Sequence, residues 1–431
     1  MYIYIYLSNP FWCRQPVVHT YDLWRRWGSY TPTILYDSKT PPTKYYFPEK
    51  AMSFCPINEP EKLKQCVRLL QNHYIAADNV LFSIQEAYLL AHCIGYGSDI
   101  PPMVTVYFEQ PSTSNITDVI ESENQQPSVL SPRTPQAMIA AFPSTVYFPN
   151  FPPLPVYFWN FICVHREYKD RMLIRPLIQT HEYKQRSFCA ASVFRCDIDL
   201  QSGVVPLTRG FSHTFHIHRI LAPSPTTFHI IRIESKSIDT MSIFIEFMQR
   251  MAKLPSYRLY MTPSLENVIE LMNAGILYIY AGIFNNSIVA LYFFKNVCTT
   301  YEDLDDDSTE LDDTVEIPTG HTTGKGIPTG KGMPTGKGTT FPGSRTIHCI
   351  GCINSVGTYE FGIGFIAAVN RLIKSSNYQF NVLVLDEMED PVLAMCMKWF
   401  ALIMKTEYAY YAYNWLVPGM PLSPKECLIL G

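Results

Sequence analysis

The sequence predicts a mixed α/β (α+β) protein of two domains, and three observations support that prediction. The chain has 431 residues, which is long enough for two domains of ordinary size. Apolar runs typical of buried strands alternate with segments whose apolar residues recur at helical spacing. The second half, which begins near residue 220, repeats the strand and helix plan of the first half.

The clearest strand–helix unit lies at residues 159–177. Residues 161–164 form an apolar, partly β-branched run that predicts a buried strand. A short charged connector follows at 165–172, and from Leu173 onward apolar residues recur at helical spacing. A basic connector that opens a helix is typical of a phosphate site, because the unpaired amides and the helix dipole favour an anion. The same arrangement occurs in α/β proteins that bind nothing there, so the pattern alone leaves both interpretations open.

The other elements are predicted in order along the chain. Residues 8–48 are rich in Pro, Tyr and Trp and predict an extended arm that lies on the core. Ser264 is the expected N-cap of a helix, and Asn285 and Asn286 are the expected turn between two strands. Helical spacing predicts helices at 63–73, 237–252, 265–272 and 361–375. Strand patterns occur at 103–108, 137–142, 156–164, 276–283, 288–294 and 380–385.

Two segments are expected to lie outside the folded core. Residues 109–136 are rich in Ser, Thr, Asn, Gln and Pro and predict a solvent-exposed loop. Residues 299–345 carry an acidic run followed by Pro-Thr-Gly repeats and predict a flexible insertion. The repeats do not form a Walker-A loop, because each Gly-Lys is followed by Gly where that loop has Ser or Thr. The acidic run lacks the Gly and the closing Glu of a calcium loop.

Composition excludes several classes of function. Residues 302–316 carry nine carboxylates, and without them the chain has 34 basic and 29 acidic residues. This weak positive balance is compatible with an anionic ligand but falls short of a nucleic-acid footprint. No run approaches the roughly 18 apolar residues of a transmembrane helix. Residues 1–7 have no basic start and no small-residue cleavage site, so we expect no secretion signal.

The twelve cysteines have no disulfide-like spacing. Without a secretion signal, they predict reduced thiols and a cytoplasmic protein. Cys349 and Cys352 form the only close pair, next to His348. One C-x-x-C motif without a second pair is weak support for a metal site, so we expect no bound metal.

Several short motifs resemble those of the N-myristoyltransferases. Residues 160–165, Asn-Phe-Ile-Cys-Val-His, resemble the N-F-L-C-V-H stretch of that family. Residues 11–17 resemble its F-W-x-T-Q-P-V element, with Arg14 in place of Thr. Residues 410–415 resemble Y-Y-L-Y-N-W, and residues 428–431 are in register with the L-V-L-Q terminus. Agreement in order at both ends and in the centre identifies the chain as a divergent relative of this family.

The resemblance implies a fold of two tandem acetyltransferase-like (GNAT-type) domains related by a pseudo-twofold. Residues 1–215 would bind acyl-CoA, and residues 216–431 would bind most of the peptide. The implied reaction is direct attack of an N-terminal glycine amine on the thioester of myristoyl-CoA, which is a co-substrate, with no permanently bound cofactor. A monomer would act on the N-terminal Gly peptides of substrate proteins. The alternatives are a non-catalytic homologue that holds acyl-CoA or a peptide N terminus, and a purely structural protein.

The resemblance also assigns the catalytic groups. Asn160, Phe161 and Ile162 correspond to the stretch whose backbone amides stabilise the oxyanion formed from the thioester. The glycine amine has an ordinary pKa of about 8 and must lose a proton before it attacks. The family uses its C-terminal carboxylate as the base, and the corresponding residue here is Gly431.

Two further groups of residues are assigned by correspondence. The residues expected to contact acyl-CoA are Phe11, Trp12, Gln15, Lys169, Asp170, Arg171, Met172 and Leu173. The residues expected to contact the peptide are Tyr74, Asp78, Phe82, His218 and Glu407. Two departures stand out: Glu167 and Asp170 add negative charge to the phosphate loop, and Ala76 and Ala77 replace acids of the peptide-binding loop.

The phosphate loop generates a first prediction. Asp170 would lie near the phosphates of CoA, which repel a carboxylate, and the family residue at this position is Ser. Asp170→Ser should therefore raise the affinity for a non-hydrolysable acyl-CoA, whereas Lys169→Ala and Arg171→Ala should lower it, as calorimetry can measure. Unchanged affinity in all three variants would show that the loop does not face the phosphates.

Overall fold

The computed structural model describes residues 11–23, 28–36, 45–75, 80–97, 99–108, 134–171, 173–197, 200, 203–217, 226–253, 257–301, 344–375, 380–387 and 390–431. Within these ranges the chain forms a long mixed sheet with helices packed on it, so the predicted α/β (α+β) class is confirmed. Asp78, Met172 and His218 lie outside the described residues, as do the side chains of residues 169–171.

The first half contributes eight strands and three α-helices to the described residues. Its strands are β1 (Thr33–Ile34), β2 (Ala51–Phe54), β3 (Val80–Phe82), β4 (Met103–Phe108), β5 (Pro135–Phe148), β6 (Phe151–Val164), β7 (Ser192–Cys196) and β8 (Thr208–His216). Its helices are α1 (Pro60–His73), α2 (Glu86–Ala91) and α3 (Ile174–Gln185). Pro60 opens α1, where its missing N–H costs no hydrogen bond, and the predicted apolar stripe of Leu63, Cys66 and Leu70 is buried.

The second half repeats this plan over a longer chain. Its strands are β9 (His229–Ile233), β10 (Leu259–Thr262), β11 (Leu277–Phe284), β12 (Ser287–Tyr301), β13 (Ser344–Asn354), β14 (Phe380–Asp386), β15 (Ala401–Tyr413), β16 (Trp415–Leu416) and β17 (Cys427–Ile429). Its helices are α4 (Ile238–Lys253), α5 (Leu265–Asn273), α6 (Thr358–Ser375) and α7 (Asp390–Trp399). Ser264 caps α5 by accepting the N–H of Asn267, and Asn285 and Asn286 both have positive φ in the turn between β11 and β12.

The order of strand pairing is the same in the two halves. In the first half β2, β4, β5 and β6 pair antiparallel in succession, and β6 then pairs parallel with β7 after the α3 crossover. In the second half β9, β11, β12 and β13 pair in the same way, and β13 then pairs parallel with β14 after α6. This internal repeat is the pseudo-twofold arrangement that the sequence predicted.

The halves exchange their last long strands. β15, from the second half, pairs with β7 of the first half, and β8, from the first half, pairs with β14 of the second. β8 and β15 also pair with each other. The sheet is therefore continuous across the domain boundary expected at residues 215 and 216, and that boundary stays a prediction.

Several predicted bounds are wrong at their edges. Residues 299–301 belong to β12 and residues 344–345 to β13, so the expected insertion is too long at both ends. Pro135 and Gln136 belong to β5 rather than to the expected loop. These edge residues are held in the sheet by pairing with distant strands, which local composition does not mark. The arm expected to be extended contains a turn of 3-10 helix at Trp12–Arg14.

Among the described residues, no helix has the length and apolar character needed to cross a bilayer. No group of three His, Cys, Asp or Glu side chains in these residues could hold a metal ion. The Sγ atoms of Cys349 and Cys352 lie 3.5 Å apart in the core, brought onto one face by an irregularity in the β12–β13 register.

The edges of the insertion generate a second prediction. Replacing residues 302–343 by a short Gly-Ser linker should leave the melting temperature nearly unchanged, because the acidic and Pro-Thr-Gly sequence has little apolar surface to bury. The matched control replaces 299–345, which removes the pairing of Thr300 with Arg345 and of Thr299 with Phe82, and should lower the melting temperature. Equal melting temperatures for the two replacements would contradict the role of these edge residues.

Candidate active site

A bulge in β6 shapes the centre of the candidate site. The β5–β6 register shifts between Met138 and Ala140, so that two residues of β6, Phe161 and Ile162, face one residue of β5. Phe161 has a φ of 51°, a left-handed conformation that is strained for a bulky residue. Asn160 Oδ1 accepts the N–H of Phe161 at 2.8 Å. The predicted oxyanion donors therefore lie on strained backbone, and one of them is hydrogen-bonded to the neighbouring side chain.

Aromatic side chains hold Phe161 in this conformation. Its buried ring lies 5.8 Å from that of Tyr74, 6.4 Å from that of Phe82 and 6.5 Å from that of Tyr88, between centroids. Tyr88 is itself fixed, because its hydroxyl donates to Asn296 O at 2.7 Å. Contacts between rings contribute about 0.5–1.5 kcal/mol each, enough together to offset the strain of one left-handed residue. Tyr74 and Phe82, both expected to contact the peptide, thus surround the bulge.

The end of the chain lies against the same strand. β17 runs parallel to β10, and the N–H of Leu430 donates to Met261 O at 2.9 Å. Gly431 then packs against the ring of Phe158 so closely that a Cβ at this position would lie 2.8 Å from the ring. Lys295 Nζ donates to Gly431 O at 2.7 Å.

Lys295 is a buried cation on β12, with 8% of its surface exposed. Burial lowers the pKa of its ammonium group to about 8. A carboxylate at Gly431 would oppose that shift, because an opposite charge at hydrogen-bond distance favours the charged form of both groups. Lys295 therefore holds Gly431 against the wall of the site.

These groups line one cavity of about 350 Å³. The predicted residues in its wall are Tyr74, Phe82, Asn160, Phe161, Ile162 and Gly431. The polar lining of the cavity was not predicted from the sequence and includes Arg195, Asp197, Lys295, His348 and Tyr410. All the predicted catalytic residues and two of the predicted peptide contacts therefore meet at one site.

A charged network adjoins the cavity, and two of its members, Arg195 and His348, line the wall. Arg195 Nη1 donates to Asp386 Oδ2 at 2.5 Å, and Arg195 Nη2 donates to Ser212 Oγ at 2.9 Å. The guanidinium lies over the ring of Tyr408, 4.6 Å from its centroid. His348 Nε2 lies 3.2 Å from Asp386 Oδ1. Burial alone would raise the pKa of Asp386, but Arg195 and His348 outweigh it and hold the pKa well below its usual range.

Two of these charged residues, Lys295 and Asp386, had a weak signal in the sequence. Lys295 directly follows the apolar run 288–294, and Asp386 directly follows the apolar run 380–385. A charged residue at the end of a buried strand needs a partner, and that need is the signal that could have marked both positions. Nothing local indicated that Arg195 would be the partner of Asp386.

The residues of the arm expected to bind acyl-CoA are packed into the protein. Phe11 and Trp12 are buried. Gln15 is also buried, and its Nε2 donates to Gln179 Oε1 at 3.0 Å while its Oε1 accepts from the hydroxyl of Tyr413 at 2.5 Å. The polar atoms of Gln15 therefore bond within the protein and tie the arm to α3 and β15.

The charged connector expected to hold phosphates forms a 3-10 helix at Arg166–Arg171, directly before α3. Leu173 is buried and precedes the first residue of α3. Arg166 anchors the start of the connector, because its Nη2 donates to Ile75 O at 2.6 Å. The rings of His73 and His165 pack 3.8 Å apart beside it and line a separate cavity of about 290 Å³.

Glu407 lies away from the cavity that contains Gly431. Side chains alternate along a strand, so that Tyr410 faces the cavity while Glu407 and Ala409 face the opposite side of β15. Glu407 instead lines another cavity of about 560 Å³, together with Arg209 and Glu387. The structure thus separates this expected peptide contact from the other two that it describes, Tyr74 and Phe82.

The repeated strand order and the cavity between the halves define a double GNAT-like fold. Solved structures share this fold over almost the entire chain. A structure of Saccharomyces cerevisiae N-myristoyltransferase with bound myristoyl-CoA matches with a TM-score of 0.65 and 11% identity, covering 98% of this chain and 95% of the other. A second, with bound myristoyl-CoA and inhibitors, matches with a TM-score of 0.63 and 11% identity, covering 98% and 94%.

A third structure of the same yeast enzyme with bound myristoyl-CoA has a TM-score of 0.61 and 11% identity, covering 96% of this chain and 94% of the other. No protein-family model matches the sequence, and the search of curated proteins gave no match. The predicted fold of the N-myristoyltransferases is therefore confirmed by structure, at an identity at which sequence comparison finds no match.

The buried network generates a third prediction. Asp386→Asn should lower the free energy of unfolding at pH 7 by about 3 kcal/mol, because it leaves Arg195 without its buried partner. The pKa of Asp386 is lower in the folded than in the unfolded protein, so its stabilisation is present above the unfolded value of about 4 and is lost as the pH falls below it. The difference in the free energy of unfolding between wild type and Asp386→Asn, measured by urea titration, should therefore be smaller at pH 3 than at pH 7.

Asp390→Asn is the matched control for this measurement. Asp390 pairs with Lys425, but its side chain is 77% exposed. The control should cost less than about 1 kcal/mol at either pH. If Asp386→Asn lowers the free energy of unfolding as little as the control does, or by an amount that does not change with pH, the proposed strength of the buried network is contradicted.

Proposed function

We propose that this protein transfers a myristoyl group from myristoyl-CoA to the N-terminal glycine amine of a peptide. The observation that supports the proposal most directly is the meeting of three kinds of group in one cavity. These are the strained backbone at Phe161 and Ile162, the chain end at Gly431 and the aromatic rings of Tyr74 and Phe82. They come from distant parts of the chain, in a fold shared with an enzyme solved with myristoyl-CoA bound.

The donor would bind on the first half of the protein. The 3-10 helix at Arg166–Arg171 leads into α3, so the free amides at this end of α3 can bind the phosphates of CoA. Backbone donors do not depend on side-chain identity. Acyl-CoA binding can therefore persist although Glu167 adds a negative charge to the connector.

The backbone amides of Phe161 and Ile162 would stabilise the oxyanion that forms when the amine attacks the thioester. One donor of this kind contributes roughly 3–4 kcal/mol to transition-state stabilisation. Asn160 Oδ1 accepts the N–H of Phe161, so this side chain must turn away when the oxyanion forms. Until then, the contact satisfies a polar group in a site that is largely buried.

The carboxylate of Gly431 would take the first proton from the incoming ammonium group. Lys295 Nζ, at 2.7 Å, holds this end of the chain in the cavity. The hydrogen bond from Lys295 also makes the carboxylate less basic. The substrate amine must therefore lie within hydrogen-bond distance for its proton to reach the carboxylate.

Two contacts favour the alternative, a non-catalytic homologue that holds acyl-CoA or a peptide N terminus. Asn160 occupies one oxyanion donor, and Lys295 pairs with the proposed base. Incubating the protein with myristoyl-CoA and a library of Gly-starting peptides separates the two functions. Mass spectrometry should detect acylated peptides and free CoA, whereas binding by calorimetry without any acylated product would favour the alternative.

The position of Gly431 generates a fourth prediction. One residue added after Gly431 would move the carboxylate by roughly 3.5 Å along an extended chain, beyond the reach of a base that must lie within about 3.2 Å of its proton donor. Acyl transfer should therefore be lost in this variant, while the affinity for acyl-CoA, measured by calorimetry, should stay the same. The matched control carries one added residue at the start of the chain and should keep its activity. Full activity of the C-terminal extension would exclude Gly431 as the base.

A further inference from the structure

Strand register brings two basic side chains onto the same wall of the catalytic cavity. Lys295 on β12 and His348 on β13 are directly opposite each other in the antiparallel pair. Directly opposed residues of such a pair point to the same face of the sheet. Both residues line the cavity that also contains Gly431.

A carboxylate lies beside the histidine. His348 pairs in register with Val384 of β14, and Asp386 is two residues further along that strand on the same face. His348 Nε2 lies 3.2 Å from Asp386 Oδ1, without the alignment of a hydrogen bond. The imidazole is 13% exposed, which leaves part of the ring accessible from the cavity. The charged groups around it are Lys295 from β12, Asp386 from β14 and Arg195 from β7, which pairs with Asp386, and Gly431 lines the same cavity.

The proposed reaction requires two proton acceptors. An N-terminal ammonium group carries three protons, and the amide nitrogen of the product keeps one of them. Two protons must therefore leave the nitrogen. One goes to the departing thiolate, and the other goes to solvent. The carboxylate of Gly431 can take one proton, but Lys295 already donates a hydrogen bond to this residue. A second acceptor close to the first would complete the reaction.

We propose that His348 is this second acceptor, a catalytic base that takes a proton from the tetrahedral intermediate and returns it to the leaving thiolate. This inference rests on the acyl transfer proposed above. Asp386 acts through His348 as a positioning residue, because its carboxylate lies against Nε2 and orients the ring. No other histidine among the described residues lines this cavity.

The bonds and protons balance as follows. The carboxylate of Gly431 takes one proton from the ammonium group, and the nitrogen lone pair forms the C–N bond while the carbonyl electron pair moves to oxygen. His348 then removes one of the two remaining protons from the nitrogen. The oxyanion pair re-forms the carbonyl and the C–S bond breaks, leaving its electrons on sulfur. The imidazolium protonates the thiolate, which gives CoA-SH and neutral His348, and Gly431 loses its proton to solvent.

The first test is His348→Asn in the full chain, assayed with myristoyl-CoA and a peptide that wild type acylates. We expect kcat to fall about 100-fold, the lower end of what general acid–base catalysis contributes. The affinity for a non-hydrolysable acyl-CoA should change less than twofold, which shows that the variant is folded. His213→Asn is the matched control, because His213 is another histidine of the sheet, buried on β8, but lies outside this cavity. The control should keep kcat within twofold of wild type.

Chemical rescue separates a catalytic from a structural histidine. Imidazole added to His348→Ala should restore kcat at least tenfold, since free imidazole can enter the vacated space and accept the proton. Asp386→Asn should lower kcat in wild type but have little further effect in the His348→Asn background. An equal loss of kcat in that background would show that Asp386 does not act through His348 and would contradict its positioning role.

Two results would overturn the inference. If His348→Asn keeps more than half of the wild-type kcat, or if imidazole does not rescue His348→Ala, then His348 is not the acceptor, while acyl transfer by wild type still supports the proposed function. If wild type binds acyl-CoA but acylates no peptide, both the proposed function and this inference fail.

Discussion

The exchange of strands between the halves is the constraint on which the site depends. Because β15 pairs with β7 and β8 pairs with β14, residues of both halves lie side by side in one sheet. Arg195 of the first half can therefore pair with Asp386 of the second. The exchange also directs the chain after β15 back toward β10, where β17 pairs and brings Gly431 to the cavity. Without the exchange, Gly431 and the proposed oxyanion donors would belong to separate units.

Burying charged residues in and behind the wall of this cavity costs free energy. Removing an ion from water costs several kcal/mol, and a partner in the protein often no more than offsets that cost. Asp386 lies against Arg195 and His348, while Lys295 lies against Gly431. Replacing buried ion pairs by apolar residues of similar volume is often neutral or stabilising, so the stability of the fold alone does not explain these residues. Their placement around one cavity favours a role in proton transfer or in substrate binding.

The sequence predicted the features that depend on neighbouring residues. The N-cap at Ser264 and the turn at Asn285 and Asn286 are encoded within a few positions, and both are present. The charged pairs at the cavity could not be predicted in this way. Arg195 and Asp386 are separated by 191 positions, and Lys295 and Gly431 by 136. Such pairs follow from strand order, which hydrophobic periodicity does not specify.

The backbone of the site explains how a fold can persist at 11% identity. An amide group is the same in every residue except proline, so a bulge can keep its geometry while the side chains around it change. What the bulge requires is that a bulky residue stay in the left-handed region, and the rings of Tyr74, Phe82 and Tyr88 provide this by packing around Phe161. Selection on this site would therefore preserve ring packing and strand register more strictly than polar identity.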